Sequence, residues 1–151
     1  MELEETKDVK TQPEAKTRKI SSEMSVQEFE RFLDIWGIDG NTDEMTIEQK
    51  DLFFSHRKRI IRAIESGHAV INDDETISYS LIKPVYNTTE LKMKVPNGES
   101  FLEMDRFKEN QGMHKAFALL AHSARKPVKI FSSMDGRDIQ FFVAVSSLFL
   151  A

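Results

Sequence analysis

The pattern of apolar and polar residues places a short region of strands near the middle of the chain. In residues 68–98, Ala69–Ile71 is a short apolar run, and apolar side chains alternate with polar ones in Ile77–Leu81 and Leu91–Val95. Alternation with a period of two is typical of strands with one buried face. The sequences between the runs contain Asn, Asp and Pro, which favour turns. These residues therefore predict a three-stranded antiparallel meander.

The ends of the strands are predicted from residues that interrupt a ladder of hydrogen bonds. Pro84 has no amide hydrogen to donate, so the second strand is expected to stop near Lys83. Residues 85–89 are then expected to form a loop, and Gly98 closes the unit after the third strand. Since so small a sheet is marginally stable in water by itself, its apolar face must be covered by helices.

In front of the sheet, two capping-box sequences predict the starts of two helices. Ser25–Glu28 opens a helix that ends at Gly37, and Thr46–Gln49 opens a longer helix that ends at Gly67. The apolar face of the first helix ends in Trp36, the single tryptophan of the chain. This face either packs on the body of the domain or binds a partner chain.

Behind the sheet, three further helices are predicted. Ser100 caps a short helix, an alanine-rich helix stops before Pro127, and Asp135 caps the last helix. Asp138 lies in the first turn of that last helix, where a carboxylate interacts favourably with the helix dipole. Residues 139–151 are apolar on nearly every side, so this helix must be covered by its own domain or by another chain.

Together these elements predict an α+β fold, in which a small antiparallel sheet of about three strands packs with about five helices. Residues 1–22 have almost no apolar side chains, so we expect a disordered tail. Residues 23–151 are expected to form a single α+β domain. It consists of a helical front part (23–67), the meander (68–98) and a helical C-terminal part (99–151).

Charge and composition exclude several classes of protein. The net charge is −4, and residues 1–50 hold 7 Lys and Arg against 13 Asp and Glu, which argues against a general nucleic-acid binder. The chain has no cysteine, so disulfides and thiolate chemistry are excluded. The first residues lack the basic and then apolar order of a signal peptide, and no apolar run reaches membrane-spanning length. We therefore expect a cytoplasmic protein that binds neither nucleic acid nor membrane.

The patterns for metal binding are incomplete. Residues 39–50 resemble a calcium loop, but Glu44 stands where the loop requires Gly and Lys50 where it requires Glu. His114 and His122 are eight residues apart, too far for chelation across one helical turn. We expect no metal and no cofactor. Because no catalytic sequence motif is present either, a non-enzymatic protein is predicted.

One basic segment leaves two interpretations open. His56–Arg59 and Arg62 lie on the second predicted helix, beside its apolar stripe. They form either a solvated face or a contact for phosphate or an acidic partner helix.

Five segments of the chain carry a likeness to a known family. They are Ile77–Leu81, Leu91–Val95, Phe101–Asp105, the alanine-rich Lys115–Ala121 and Met134–Asp138, which precedes an apolar helix. In this order they resemble the phage tail assembly chaperone family of contractile- and flexible-tailed phages and prophages. The resemblance covers roughly residues 60–150 and rests on a pattern of elements. The chain departs from the family pattern by carrying about sixty further residues in front.

The resemblance implies a function in tail assembly. A member of the family binds the long, helical tape-measure protein in the host cytoplasm and keeps it soluble until tail tube subunits polymerise around it. It is expected to be absent from the mature virion. The tail tube protein is a further expected partner, and a homo-oligomer is left open. The alternative is a structural or adaptor protein of a phage tail or phage-like injection machine, docking through the Trp36 helix or the basic helix.

The apolar end of the chain is where we expect a client to bind. The chain has 7 Met and 11 Phe, whose soft and aromatic side chains suit varied partners. The hypothesis is that five residues contribute the client-binding surface: Phe141, Phe142, Val145, Leu148 and Phe149. An equally open alternative is that all five lie in the core. The last turn, 148–150, is the part most expected to remain uncovered.

Overall fold

The structure, a computed structural model, describes residues 19–151. Within this range the chain forms six helices and three strands, which confirms the predicted α+β class. Residues 1–18 of the predicted tail lie outside the described residues. Within the described residues, contacts with the domain are already present before the predicted boundary at residue 23, since the Ile20 N–H donates to the Glu65 carbonyl at 3.1 Å.

The three strands form one antiparallel sheet in the order β1-β2-β3. They are β1 (Ala69–Ile71), β2 (Ile77–Val85) and β3 (Thr88–Met93). In the middle of the sheet, Tyr79 of β2 pairs with Ala69 on one side and with Leu91 on the other. This is the predicted meander, and buried positions alternate along the first half of β2 as the sequence pattern requires.

The second strand is longer than predicted. It runs through Pro84 to Val85, so the prediction that it stops near Lys83 is wrong. The register with β3 shifts between Ser80 and Val85, and residues 81–84 form a bulge. A residue in a bulge need not donate to the neighbouring strand, and this is why proline is tolerated there.

A two-residue turn joins β2 to β3. Val85 pairs with Thr88, and the intervening Tyr86 and Asn87 have φ angles of 47° and 66°. Positive φ at both central positions is the geometry of a type I′ turn, whose twist matches that of the strands. The predicted loop over residues 85–89 is therefore wrong. Its sequence lacks the glycine that usually marks such a turn.

The first helix, α1 (Ser22–Trp36), begins four residues earlier than the predicted cap at Ser25 implied. Ser21 is the N-cap, and its hydroxyl oxygen accepts the Met24 N–H at 3.2 Å. Ser25, the predicted cap, is buried within the helix, where its hydroxyl donates to the Ser22 carbonyl at 2.7 Å. The serine nearer the chain start caps the longer helix, so the predicted capping box at Ser25 is wrong.

Other helix ends of the front part follow the prediction. Gly37 ends α1 with a φ of 67°, a backbone conformation that glycine adopts without strain. The second helix, α2 (Ile47–Glu65), begins with the predicted capping box. The Thr46 hydroxyl accepts the Gln49 N–H, and the Gln49 side chain accepts the Thr46 N–H. Gly67 follows the end of α2 with a φ of 87°.

Four helices follow the sheet. They are α3 (Gly98–Met104), α4 (Gly112–Ala124), α5 (Val128–Ser132) and α6 (Gly136–Leu150). The short α5 was not predicted. Asn97 caps α3, and the Ser100 hydroxyl oxygen accepts the Asn97 N–H in return. The predicted cap at Ser100 is therefore wrong. Asp135 caps α6 as predicted, since its carboxylate accepts the Arg137 N–H at 2.9 Å.

Helices from both ends of the described chain share one apolar core with the sheet. α6 packs on α2 and β2, α1 packs on α2, and α4 packs on β3. The largest buried side chains come from most of these elements: Phe29, Phe32, Ile60, Leu91, Phe131, Phe142 and Val145. The aromatic face of α1, including Trp36, belongs to this core. Of the two interpretations of that helix, packing on the body is therefore the one observed.

Candidate functional site

Four of the five predicted client-binding residues lie in the core. Phe141, Phe142, Val145 and Leu148 are at most 4% exposed. The ring of Phe141 stacks on Tyr79 with centroids 4.5 Å apart, because α6 lies against β2. These four side chains therefore form no exposed surface in this structure, which corrects the client-binding hypothesis for them. Phe149 alone of the five is partly exposed.

An apolar surface does remain near the end of α6, and it includes residues that the sequence did not suggest. Phe101 and Leu102 of α3 are 43% and 66% exposed, and Leu150 of α6 is 40% exposed. The Phe149 ring lies 5.9 Å from that of Phe101, which brings α3 beside the end of α6. We call Phe101, Leu102, Phe149 and Leu150 the C-terminal apolar patch.

A stack of buried aromatic rings supports this patch. The Trp36 ring contacts Phe149 edge to face at 5.7 Å, and it lies 5.4 Å from Phe32. Trp36 is 3% exposed, and its indole nitrogen has no hydrogen-bond acceptor among the described residues. Edge-to-face and offset contacts of this kind hold rings in fixed relative positions. The patch therefore rests on a rigid base to which α1 and α6 both contribute.

One feature of the sequence could have indicated that Phe101 and Leu102 belong to the patch. Phe101 and Leu102 are adjacent, and neighbouring residues of a helix point about 100° apart. Because the short helix α3 packs on α4 with one side only, Phe101 and Leu102 cannot both be buried by that contact. An adjacent apolar pair at such a position therefore indicates exposure, whereas the same pair in a central helix would not.

A polar cleft of about 620 Å³ between α3, α4 and the loop after β3 contains a serine, a histidine and a glutamate. The Ser100 hydroxyl lies 2.8 Å from His122 Nδ1, and His122 Nε2 lies 3.6 Å from a Glu99 carboxylate oxygen. A nucleophile requires an accessible oxygen atom. Ser100 is 1% exposed and its oxygen accepts the Asn97 N–H, so the geometry is that of a helix cap.

The residues considered for metal binding take part in local structure. The Asp39 and Asn41 side chains accept the backbone N–H groups of Asn41 and Asp43, which builds the loop between α1 and α2. His114 stacks on the Phe107 ring at 5.6 Å, while His122 bonds to Ser100. Across residues 19–151, no three His, Asp or Glu side chains are grouped so that they would hold a metal ion.

A buried carboxylate joins α6 to the bulge of β2. Asp138 is fully buried and accepts three hydrogen bonds, from the Tyr79 hydroxyl at 2.9 Å and from the N–H groups of Ile82 and Lys83 at 2.9 and 3.1 Å. Burial and then the hydrogen bond to Asp138 raise the pKa of Tyr79. The sequence placed Asp138 correctly in the first turn of the helix, but no pattern indicated its partners.

Comparison of the chain with protein-family models, with curated proteins and with solved structures finds no match. In the part of the chain that the structure describes, no helix combines the length and the apolar character needed to cross a membrane.

Proposed function

We propose that this protein is a non-enzymatic phage tail assembly chaperone, which binds the tape-measure protein and keeps it soluble during tail assembly. The observation that carries the proposal is the C-terminal apolar patch, an exposed apolar surface on a rigid aromatic base. All four residues of the patch fall within the span of roughly residues 60–150 that resembles the family.

The chemistry of the patch suits a helical client. Phe101 and Leu102 are exposed on α3 and Leu150 is exposed at the end of α6, and the rings of Phe101 and Phe149 join the two helices. A partner helix that lies across this ring contact would meet exposed apolar side chains from both helices. Contiguous exposed apolar surface on a folded protein commonly marks a site of protein–protein contact. A surface of only four side chains favours a contact that is weak and reversible, as a chaperone needs when it hands its client to the tube.

The proposal carries further expectations about place and partners. The chaperone acts in the host cytoplasm and leaves before the particle is complete, so it is absent from the mature virion. The tail tube protein is its second expected partner, and self-association is compatible with the same surface. The alternative function, a structural or adaptor protein of a tail or injection machine, requires the protein to remain in the particle.

Co-expression with the tape-measure protein tests the proposal. The double variant Phe101→Ser/Leu102→Ser should reduce the soluble fraction of the client at least several-fold, because interface side chains at the centre of a contact carry most of its free energy. Ile47→Ser on α2 is the matched control, since Ile47 is 79% exposed and lies outside the patch. Thermal unfolding of each purified variant verifies that it is folded.

Two results would overturn the proposal. One is a patch variant that keeps the client as soluble as the wild-type protein does. The other is an equal loss of solubility with Ile47→Ser, which would mean that any exposed apolar residue serves. Antibody detection in purified particles decides between the two functions, because a chaperone is lost from finished particles and an adaptor is retained.

A further inference from the structure

A second cleft, of about 360 Å³, lies between α2, β2 and the start of α6. None of the residues that line it belongs to the C-terminal apolar patch. Arg59 and Arg62 from α2 and Arg137 from α6 form its exposed rim. The buried rings of Tyr79 and Phe141 form its floor. We call it the basic cleft.

The charge of the basic cleft has one sign. Three arginines line it, and no aspartate or glutamate does. Arg137 is paired with Asp135 at 2.9 Å, whereas Arg59 and Arg62 form no salt bridge with any other residue in the described range. Arg59 is held toward α6 by a hydrogen bond to the Gln140 side chain. A cleft lined by charges of one sign focuses the field and attracts the opposite charge.

The floor of the basic cleft is apolar although it contains a tyrosine. The Tyr79 hydroxyl donates inward to Asp138, so the ring and not the hydroxyl is available to the cleft. That ring is stacked on Phe141 at 4.5 Å and lies 6.0 Å from the His68 ring. An apolar floor under a guanidinium rim matches an apolar side chain that is flanked by carboxylates.

We propose that the basic cleft binds an acidic segment of a partner protein, with an apolar side chain on Tyr79 and Phe141 and adjacent carboxylates on Arg59 and Arg62. The floor argues against a free inorganic anion, which gains nothing from aromatic rings. The chain carries a net charge of −4 and only three arginines line the cleft, which disfavours a nucleic acid that needs extended phosphate contacts.

Fluorescence anisotropy with the full chain tests this proposal. The probe is a short labelled peptide in which leucines are flanked by glutamates, compared with the same peptide carrying glutamine at each glutamate. The acidic peptide should bind saturably and more weakly as salt is raised. Arg59→Gln/Arg62→Gln should weaken its binding by about tenfold or more, because charge-assisted bonds are lost.

Lys58→Gln is the matched control, because Lys58 is exposed on the same helix but does not line the cleft. It should change the affinity less than about twofold. Equal binding of the glutamine peptide, an equal loss with Lys58→Gln, or displacement of the peptide by inorganic phosphate at the peptide's own concentration would each overturn the proposal. Phe101→Ser/Leu102→Ser should leave peptide binding unchanged, so this test stands apart from that of the proposed function.

Discussion

Asp138 illustrates how one buried polar residue fixes the position of a helix, α6, relative to a strand, β2. Its carboxylate accepts hydrogen bonds from the Tyr79 hydroxyl and from the N–H groups of Ile82 and Lys83, which lie in the bulge of β2. A bulge leaves backbone N–H groups without a partner in the neighbouring strand, and the Asp138 carboxylate supplies an acceptor for two of them. Asp138 therefore satisfies the bulge and orients α6 on the sheet.

We expect Tyr79→Phe to lower the free energy of unfolding by about 1.5–3 kcal/mol, the range for a lost hydrogen bond to a charged group. Asp138→Leu should cost about 3 kcal/mol or more, because it leaves a hydroxyl and two amides unpaired. Urea denaturation measures both. Tyr86→Phe is the control, since the Tyr86 side chain is 63% exposed. A loss for Tyr79→Phe no larger than that for Tyr86→Phe would contradict this role of Asp138.

His56 is a second residue whose environment has a measurable consequence. Burial, and then the nearby Arg59 charge, lower the pKa of His56 below its usual value of 6.5. Its Nδ1 atom is buried without a hydrogen-bond partner among the residues described. The unfolded chain therefore binds a proton at this position more readily than the folded chain does.

Stability should fall as the pH decreases below 6.5, and this contribution should level off once the pH is below the folded-state pKa of His56. His56→Gln removes the titrating group, so the difference in unfolding free energy between neutral and mildly acid pH should become smaller. Urea denaturation at a series of pH values measures it. An unchanged pH dependence in the variant would show that His56 is not the cause.

At the scale of elements, the turn between β2 and β3 fixes the register of the outer strand. Tyr86 and Asn87 both have positive φ, which is uncommon for residues other than glycine. Tyr86 is held by the Lys129 ammonium group, which lies 5.1 Å from its ring centroid. Asn87 has the side chain that best tolerates this conformation apart from glycine.

Substitutions at Asn87 should follow backbone preference. Asn87→Val should destabilise the protein by about 1–2 kcal/mol, because a β-branched residue is strained at positive φ. Asn87→Gly should be neutral or stabilising by up to about 1 kcal/mol. Thermal unfolding measures both changes. Thr89→Val is the control, because Thr89 is an exposed residue of β3; a similar loss there would point to the side chain and not to the turn.

At the scale of the whole molecule, two leucines of the last helix that are only two residues apart have different environments. Leu148 is 4% exposed and lies in the shared core, whereas Leu150 is 40% exposed and lies in the C-terminal apolar patch. Both are leucines in the final turn of α6, so their sequence context is nearly the same. Only the packing of α6 against the rest of the domain separates them.

The two leucines should therefore separate stability from client binding. Leu148→Ala is expected to cost about 2–5 kcal/mol of unfolding free energy, as truncation of a buried leucine usually does. Its client binding should be retained at temperatures where it is folded. Leu150→Ser should change stability by less than about 0.5 kcal/mol and reduce the soluble client. Stability and client binding that decline together in both variants would contradict this division.

The sequence by itself determined the features that depend on neighbouring residues. A short apolar run predicted β1, and alternation predicted β2 and β3. The Thr46–Gln49 capping box and Gly37 predicted helix ends, and Asp135 predicted the start of α6. These signals are local, because caps and turns satisfy backbone groups within a few residues. Local signals failed where two were close together, as at Ser21 and Ser25.

The tertiary structure alone decided which apolar residues are buried and which polar residues meet. The burial of Phe141, the exposure of Leu102, the partners of Asp138 and the arginines of the basic cleft all depend on contacts between segments far apart in the chain. Periodicity identifies an apolar face but not what covers it. The path of β2 through Pro84 also depends on distant contacts. The N–H groups of Ile82 and Lys83, which have no partner in β3, donate to the Asp138 carboxylate 56 and 55 residues away.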